Sequence, residues 1–224
     1  MAKKKLARFA ELKTFNNVFY LAYADLQKGL ELKGKWRSSY FKNEYPIVLE
    51  LGCGKGEYTI GLAQRYPHKN FVGVDIKGAR IWKGAKTATD EKMNHVAFLQ
   101  TRVDYVEACF SVGEVDEIWI TFPDPQPGTT RERMRLTNKV FLARYKQILK
   151  KGGILHLKTD NAPFYQYTLD CIKAMVGEIL LSTDNLYRDK ESHTDLAEIA
   201  SIKTHYEKLF TAKGFDICYV SFRL

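Results

Sequence analysis

The sequence predicts an α/β domain in which a seven-stranded, mostly parallel sheet carries helices on both faces. From residue 45 onward, apolar runs of strand length alternate with longer stretches of helical periodicity, which is typical of strand–helix–strand units. The runs are continuously apolar rather than alternating, as in strands that are buried on both faces. With 224 residues and 45% hydrophobic composition, the chain is also long enough for one large core.

The first four strands are each followed by a turn or loop and then by a helical stretch. Strands are predicted over 46–51, 70–76, 95–101 and 115–122. Helices are predicted after them over 57–66, 79–93, 103–110 and 138–151, where apolar residues recur at helical spacing. The glycines of KKGG, at 150–153, stand where a helix stop is expected.

Three further strands complete the predicted sheet. They cover 153–160, 178–186 and 216–224. A helix over 162–175 follows the first of them, and a polar loop at 187–197 with a helix over 200–214 separates the last two. Because no repeat or linker interrupts this pattern, residues 45–224 are predicted to form one domain.

Residues 1–44 are predicted to form a basic, aromatic N-terminal extension. They hold ten Lys/Arg and four Asp/Glu, which is +6 of the formal net charge of +9. Such an arm indicates a polyanionic partner, although a lysine run is also typical of a solvated, soluble tail. A weak helical pattern is present around 17–28. The aromatic side chains of this segment suit stacking on bases, but most of them are expected to pack onto the body: Phe9, Phe15, Phe19, Tyr20 and Tyr23.

The sequence argues against membrane, disulfide and metal-binding classes. The basic start at 1–8 is followed by no apolar signal-peptide core, and no window approaches the roughly 18 apolar residues of a membrane span. The four cysteines, at 53, 109, 171 and 218, form no CxxC pair, and the five histidines show no ligand spacing. We therefore expect a cytoplasmic protein that needs no metal.

The stretch VLELGCGKG, at 48–56, joins the first strand of the domain to its first helix. Gly52 and Gly54 let the backbone approach a ligand, but G-x-G-x-G is not the G-x-G-x-x-G of a dinucleotide site. Glu50 would repel a phosphate, whereas Asp75, at the end of the second strand, is placed to accept ribose hydroxyls. A cationic nucleoside such as S-adenosylmethionine suits both acids; the alternative is that the glycines form only a tight turn.

One acid is held between two prolines at the end of the fourth strand. Pro123 and Pro125 fix their own φ angles and each restricts the residue before it, so Asp124 has little conformational freedom. At the carboxyl end of a strand in this fold, Asp124 should face the ligand crevice. Enzymes that methylate planar nitrogen atoms carry an acid or amide with prolines here. The alternative is a rigid loop with an incidental acid.

The chain resembles the tRNA (guanine-N7)-methyltransferase family over residues 45–224. The motifs that carry the resemblance are VLELGCGKG, FVGVDI, ITFPDP, GGILHLKTDN and IKTHYEKLFTAKG. The resemblance implies a Rossmann-like class I S-adenosylmethionine-dependent methyltransferase. It implies methyl transfer to N7 of a guanine in the tRNA variable loop, at tRNA position 46, which forms 7-methylguanosine. The implied partner is tRNA, and no obligate protein partner is expected.

The resemblance also implies roles for individual residues. The donor-side contacts that it implies come from Glu50, Gly52, Gly54, Asp75 and Asp124, with Arg102 or Asp104 at the donor adenine. Asp124 would lie between donor and guanine and is the implied catalytic residue. The implied substrate-side residues are Asp160, Thr204, Glu207, Arg131 and Arg133.

The chain departs from the family pattern after FPDP. Gln126 stands where the family commonly has Trp, and Gly128 stands where a substrate-contacting Lys often lies. The basic run that follows is thinned to Arg131, Arg133 and Arg135. We therefore expect the basic arm to supply much of the contact with tRNA phosphates in this protein.

Two points stay open in the sequence. In SIKTHYEKLF, the apolar residues at 202, 206, 209 and 210 make a helical stripe typical of core packing, while Thr204 and Glu207 share another face. Other functions also fit parts of the pattern: an adenine-directed amino-methyltransferase, a non-catalytic RNA-binding module with a vestigial donor pocket, and an NAD-dependent oxidoreductase. No aromatic residue follows Pro125, which argues against the amino-methyltransferase. Intact Glu50, Asp75 and Asp124 argue against the non-catalytic module. The glycine spacing argues against the oxidoreductase.

Overall fold

Eight strands form one mixed sheet in this computed structural model, which describes residues 2–224 and, from residue 6 onward, their side chains. The strands are β1 (Val18–Tyr20), β2 (Ile47–Leu51), β3 (Asn70–Asp75), β4 (Val96–Gln100), β5 (Val115–Thr121), β6 (Leu149–Thr159), β7 (Glu178–Thr183) and β8 (Cys218–Arg223). Their order across the sheet is β1-β4-β3-β2-β5-β6-β8-β7. All neighbouring pairs are parallel except those that β8 makes with β6 and β7.

The predicted α/β sheet is confirmed, but the predicted number of seven strands is wrong. All seven predicted strands are present, with ends that differ by a few residues. The eighth, β1, lies at the sheet edge beside β4 and comes from the segment for which the sequence favours a weak helix. Three residues are too few to show a period, and β1 is a strand because Val18–Tyr20 pairs in register with Phe98–Gln100.

The described chain contains nine α-helices. They are α1 (Ala2–Leu12), α2 (Glu57–Arg65), α3 (Gly78–Asp90), α4 (Val106–Cys109), α5 (Lys139–Ile148), α6 (Ala162–Ala174), α7 (Leu186–Asp189), α8 (Thr194–Ser201) and α9 (His205–Ala212). Short 3₁₀ turns cover Tyr23–Asp25, Val103–Tyr105 and Thr129–Met134, and a π-helical segment covers Trp36–Phe41.

Some helix boundaries differ from the prediction. The helix predicted over 138–151 ends at Ile148, because β6 begins at the next residue and contains the KKGG stretch. The stretch predicted as a polar loop at 187–197 includes most of α7 and the start of α8. The helix predicted over 200–214 is interrupted, since α9 begins only after Thr204, whose side chain caps it.

The sheet separates two apolar layers. One layer packs against α4, α5 and α6, and the other packs against α1, α2, α3, α7 and α8. The N-terminal segment contributes to both. Trp36 is fully buried in the first layer, where its ring stacks on Phe110 with 5.3 Å between centroids, and Leu12 is 1% exposed in the second. Leu12 and Trp36 therefore hold the N-terminal segment against the folded body.

The N-terminal aromatic residues divide as the sequence predicts. Phe9, Phe15 and Phe19 are partly buried, whereas Tyr20 and Tyr23 are exposed. Elsewhere, the four cysteines are buried and form no disulfide. Among the helices of residues 2–224, none combines the length and the apolar character that a membrane span requires.

Parallel pairing brings the carboxyl ends of β2, β3, β5 and β6 to one edge of the sheet. The strand order reverses at β2, which has β3 on one side and β5 on the other. A crevice at such a reversal is the usual ligand site of open α/β sheets.

Candidate active site

Two adjoining cavities lie at this edge, and Gly52 lines both of them. The outer cavity has a volume of about 480 Å³, and four charged residues border it: Asp75, Arg102, Asp104 and Arg133. The inner crevice is smaller, about 80 Å³, and its border includes Glu50, Gly54, Thr121 and Thr204. The structure thus brings most of the sequence-predicted donor-side residues to one place, together with two predicted substrate-side residues, Arg133 and Thr204.

Asp75 ends β3 with its carboxylate directed at the glycine turn. Its Oδ2 accepts a hydrogen bond from the Gly54 N–H at 2.9 Å, and its Oδ1 accepts one from the Lys77 N–H at 2.7 Å. A carboxylate has about four acceptor sites, so two remain after these bonds. Asp75 is therefore held rigidly and can still accept hydroxyl groups of a ligand in the outer cavity.

The glycine turn adopts a backbone conformation that other residues avoid. Gly52 has φ of +76° and Gly54 has φ of +56°. The N–H groups of Gly52 and Cys53 both donate to the Val74 carbonyl, at 2.8 and 3.0 Å, which ties the turn to β3. Nothing lies within 4 Å of where a Gly54 Cβ would stand, so a side chain there would enter the open space of the crevice.

Glu50 lies beneath this turn and is 3% exposed. Its Oε1 accepts from the Thr121 hydroxyl at 2.6 Å, and its Oε2 accepts from the Thr59 N–H at 2.8 Å and from the Thr59 hydroxyl. Burial raises the pKa of Glu50 to about 7, against the lowering effect of these hydrogen bonds. The protonation of Glu50 is therefore sensitive to any cation that enters the inner crevice.

Arg102 and Asp104 stand at the end of β4 and pair with each other. Arg102 Nη2 lies 3.0 Å from Asp104 Oδ2, and Arg144 Nη1 lies 3.6 Å from Asp104 Oδ1. The Arg102 guanidinium also lies 5.8 Å from the Tyr105 ring centroid. Both residues border the outer cavity with Asp75.

The segment after β5 is bent at two non-glycine residues. Phe122 and Gln126 both have φ of +47°, a region that few such residues adopt. Between them, Asp124 is exposed, and its Oδ1 accepts a hydrogen bond from the Gln126 N–H at 3.1 Å. Phe122 borders the inner crevice, and Asp124 stands two residues beyond it, outside the border of both cavities.

The arginines that follow lie on or next to the 3₁₀ turn Thr129–Met134. Arg133 borders the outer cavity, whereas Arg131 is exposed to solvent. Arg135 lies over the Tyr167 ring at 4.3 Å and donates to the Gln126 carbonyl at 3.3 Å. Arg135 therefore helps to hold the bent segment.

Asp160 directly follows β6, at the same edge of the sheet, and is half-buried. Burial raises the pKa of this carboxyl above its ordinary value. Like Asp124 and Arg131, it lies outside the border of the two cavities.

Glu207 lies in the interior rather than at the crevice. It is 0% exposed, and its Oε1 accepts from Lys158 Nζ at 2.8 Å and from the Tyr187 hydroxyl at 2.7 Å. Its Oε2 faces the Thr204 N–H at 3.4 Å, while the Thr204 hydroxyl accepts from the Glu207 N–H at 3.1 Å. This reciprocal pair is a capping box that begins α9. Glu207 therefore has no surface to offer to a substrate, whereas Thr204 borders the inner crevice.

Sequence reasoning missed Lys158, the partner of Glu207. Lys158 has no exposed surface, and its ammonium also donates to the Ile199 carbonyl at 3.0 Å and the Ile202 carbonyl at 3.1 Å. Burial lowers the pKa of Lys158, while Glu207 opposes this effect. The available signal was a lysine within the apolar run GILHL-K-T, because a charge inside a buried strand requires a partner.

Known proteins of one family match the whole chain. A family model described as "Putative methyltransferase" matches residues 44–220. The tRNA (guanine-N(7)-)-methyltransferase of Christiangramia forsetii is 48% identical over 224 residues, which is 100% of this chain and 99% of that protein. The protein of the same name from Bacteroides thetaiotaomicron is 44% identical, over 100% of this chain and 87% of its own length.

Solved structures of low sequence identity share the fold. An antibiotic-related methyltransferase has a TM-score of 0.64 at 16% identity, over 87% of this chain and 96% of that chain. The 16S rRNA methyltransferase KamB has a TM-score of 0.62 at 14% identity, over 91% of this chain and 94% of its own. The predicted Rossmann-like class I methyltransferase fold is confirmed.

Proposed function

The chain belongs to the tRNA (guanine-N(7)-)-methyltransferase family, and on this premise we propose that it transfers a methyl group from S-adenosylmethionine to N7 of guanine at tRNA position 46. The product is 7-methylguanosine in the variable loop. One observation supports this proposal most strongly. The inner crevice is bordered by Glu50 and Gly54 of the donor motif and by Thr204 of the substrate motif, which are far apart in the sequence.

The residues around the two cavities fit S-adenosylmethionine. Asp75 keeps free acceptor sites for ribose hydroxyls, and Gly52 and Gly54 leave the backbone open to a ligand. The Glu50 carboxylate lies beside the inner crevice, where it favours a cation. When bound, S-adenosylmethionine supplies a methyl group on a positively charged sulfur. Arg102 or Asp104 would contact the adenine in the outer cavity.

The chemistry asks the protein for alignment and charge rather than for a base. N7 of guanine has a free lone pair and loses no proton on methylation, so alignment and electrostatics supply the rate. In this proposal Asp124, held between Pro123 and Pro125, accepts hydrogen bonds from the Watson–Crick edge of guanine. That edge offers two adjacent donor groups, N1–H and the 2-amino group, and adenine carries neither of them. The same negative charge stabilises the base as it becomes cationic.

The substrate-side roles divide between direct and indirect contacts. In this proposal Thr204, at the inner crevice, and Asp160, at the end of β6, contact the guanosine. Glu207 acts through others, because it caps α9 and so fixes Thr204. Arg131 and Arg133 are placed to meet tRNA phosphates, which position RNA without specifying its sequence.

tRNA is the partner that suits the charge of the chain. The extension over 1–44 carries +6 of the formal +9, and phosphate contacts dominate binding to nucleic acid. A substrate of this kind places the protein in the cytoplasm.

The proposal is tested by methylating total tRNA with labelled S-adenosylmethionine and identifying the modified nucleoside by mass spectrometry. The expected product is 7-methylguanosine, and it should be lost with the Asp124→Ala variant. If the product is a methylated adenosine, the protein is an adenine-directed enzyme and the proposal is wrong. If the protein binds the donor in calorimetry but transfers no methyl group, it is a non-catalytic module.

A further inference from the structure

An exposed aromatic surface lies beside the inner crevice, and its rings are those of Phe122, Tyr206, Phe210 and Phe215. The rings of Tyr206 and Phe210 lie 6.2 Å apart at 20°, and those of Phe210 and Phe122 lie 6.3 Å apart at 27°. Phe215 meets Phe210 edge-on at 6.0 Å. Tyr206 is 45% exposed and borders the crevice itself.

Two exposed rings lie at this crevice, those of His205 and Tyr206. Four ring-bearing side chains border it: Tyr58, Phe122, His205 and Tyr206. Tyr58 is 1% exposed, and Phe122 is half-buried against Phe210. The bent segment at 123–128, Pro-Asp-Pro-Gln-Pro-Gly, contributes no aromatic ring. A planar base that enters the crevice therefore meets His205 and Tyr206, and Tyr206 is the ring that packs on Phe210.

The position of Tyr206 is fixed from both sides. On one side, its ring packs on Phe210, which packs on Phe122. The N–H of Phe122 donates to the Lys158 carbonyl at 2.8 Å. Below Tyr206, α9 begins in the capping box of Thr204 and Glu207. A ring held in this way loses little conformational entropy when a ligand stacks on it.

Cationic side chains lie beside the aromatic surface. Lys55 and Arg80 border the same crevice, together with Glu50 and Glu57, and Lys208 is exposed on α9. Aromatic rings interleaved with cationic side chains form the usual platform for an unstacked nucleotide, whose base stacks while its phosphates pair with the cations.

We infer that Tyr206 stacks on the guanine that is methylated, an inference that rests on the proposed function. Methylation at N7 converts a neutral base into a cation, and the face of an electron-rich ring attracts a cation more strongly than a neutral group. Tyr206 therefore binds the product-like transition state better than the substrate, which accelerates the methyl transfer itself. The rate of methyl transfer should therefore be highest with Trp or Tyr at position 206, lower with Phe and lowest with Leu.

Single-turnover methyl transfer at saturating donor and tRNA tests the inference. Tyr206→Leu should slow the transfer by about 2- to 30-fold, the range for losing one cation–π contact. Tyr206→Phe should recover most of this loss, and Tyr206→Trp should match the parent. Donor affinity should change less than twofold in every variant. Tyr45→Leu is the matched control, since Tyr45 is 40% exposed and precedes β2 at the opposite edge of the sheet.

Three results would overturn the inference. The first is a Tyr206→Leu variant that transfers the methyl group at the parental rate. The second is an equal loss of rate in Tyr206→Leu and Tyr206→Phe. The third is a loss of rate that is explained by weaker donor binding. If Tyr206→Leu melts at a lower temperature than the parent, the comparison of Phe, Tyr and Trp decides, because all three keep a ring. A parent that transfers no methyl group to tRNA would overturn the proposed function, and this inference with it.

Discussion

Lys158 and Glu207 meet in the interior with 2.8 Å between Nζ and Oε1, and neither side chain has exposed surface. Lys158 comes from β6 and Glu207 from α9, so the pair fastens α9 to the sheet. Lys158 also reaches the Ile199 and Ile202 carbonyls, which lie near the end of α8. We call this set of contacts the buried anchor.

Removing only one partner of the buried anchor should strongly destabilise the fold. Glu207→Gln or Lys158→Met leaves one charge buried without its partner, which costs about 3–5 kcal/mol of unfolding free energy. Chemical denaturation measures this cost. Lys86→Met is the control, since its ion pair with Asp90 is largely exposed and contributes about 0–1 kcal/mol. A loss in Glu207→Gln as small as in the control would contradict the anchoring role.

Much of the fold could be predicted because the length and the apolar character of most strands are visible in the local sequence. The runs that became β2 to β8 are apolar and long enough to recognise, and their alternation with helices indicates a parallel sheet. The strand β1 could not be predicted this way, since its three residues depend on pairing with β4. The break between α8 and α9 was likewise hidden, because a capping box depends on the conformation around Thr204.

The clustering of the expected donor-side residues was also predictable, whereas the burial of Glu207 was not. Glu50, Gly52 and Asp75 occupy strand ends, which parallel pairing must bring together. The burial of Glu207 depends on Lys158, a residue 49 positions earlier on another element, and no local pattern reveals such a pairing. The motif match predicted a substrate role for Glu207, while the structure shows that Glu207 pairs with Lys158 and caps α9.

Glu50 should make donor binding depend on pH. Burial raises its pKa to about 7 in the protein, and a cation beside it favours the ionised form. Binding therefore expels a proton below about pH 7, so affinity for S-adenosylmethionine should rise by up to about tenfold between pH 6 and 8 and then level off.

Calorimetry at several pH values measures this effect. The variant Glu50→Gln should flatten the profile, since it removes the titrating group. S-Adenosylhomocysteine, which lacks the sulfonium charge, should show a weaker dependence with the parent protein. An identical slope for both ligands would mean that Glu50 does not sense the sulfonium.

Asp124 should matter for turnover and not for folding. Its side chain is exposed and bonds only within its own turn, so Asp124→Ala should change unfolding free energy by less than about 0.5 kcal/mol. Losing an electrostatic group at the reacting base should slow methyl transfer by roughly 100- to 1,000-fold. The variant Asp124→Asn, which removes the charge but keeps an acceptor, should fall between the two. Near-parental turnover in Asp124→Ala would remove it from the mechanism.

The basic arm should set the salt dependence of tRNA binding. The side chains of Lys3, Lys4 and Lys5 lie outside the described residues, and Arg8 lies over the Trp82 ring at 4.5 Å. Replacing the three lysines by Ala should flatten the slope of log affinity against log salt by about 0.7–0.9 per lost phosphate contact. Arg8→Ala tests separately whether the stacked guanidinium also reaches RNA.

Donor affinity and the choice of guanine should not change in these arm variants, because phosphate contacts carry no sequence information. Lys151→Ala, at the amino-terminal end of β6, is the control with an exposed charge on the opposite edge. Equal slopes for the parent and the lysine variant would identify the arm as a solubility tail.

The central claim, methylation of guanine N7 at tRNA position 46, is tested most directly by mapping the methyl group on a single tRNA. Two transcripts are compared, one with guanine at that position and one with adenine, and strand cleavage specific for 7-methylguanosine locates the product. We expect about one methyl group per guanine transcript, cleavage at position 46 alone, and no incorporation into the adenine transcript. Equal incorporation into both transcripts, or a methyl group on another atom or nucleotide, would contradict the claim.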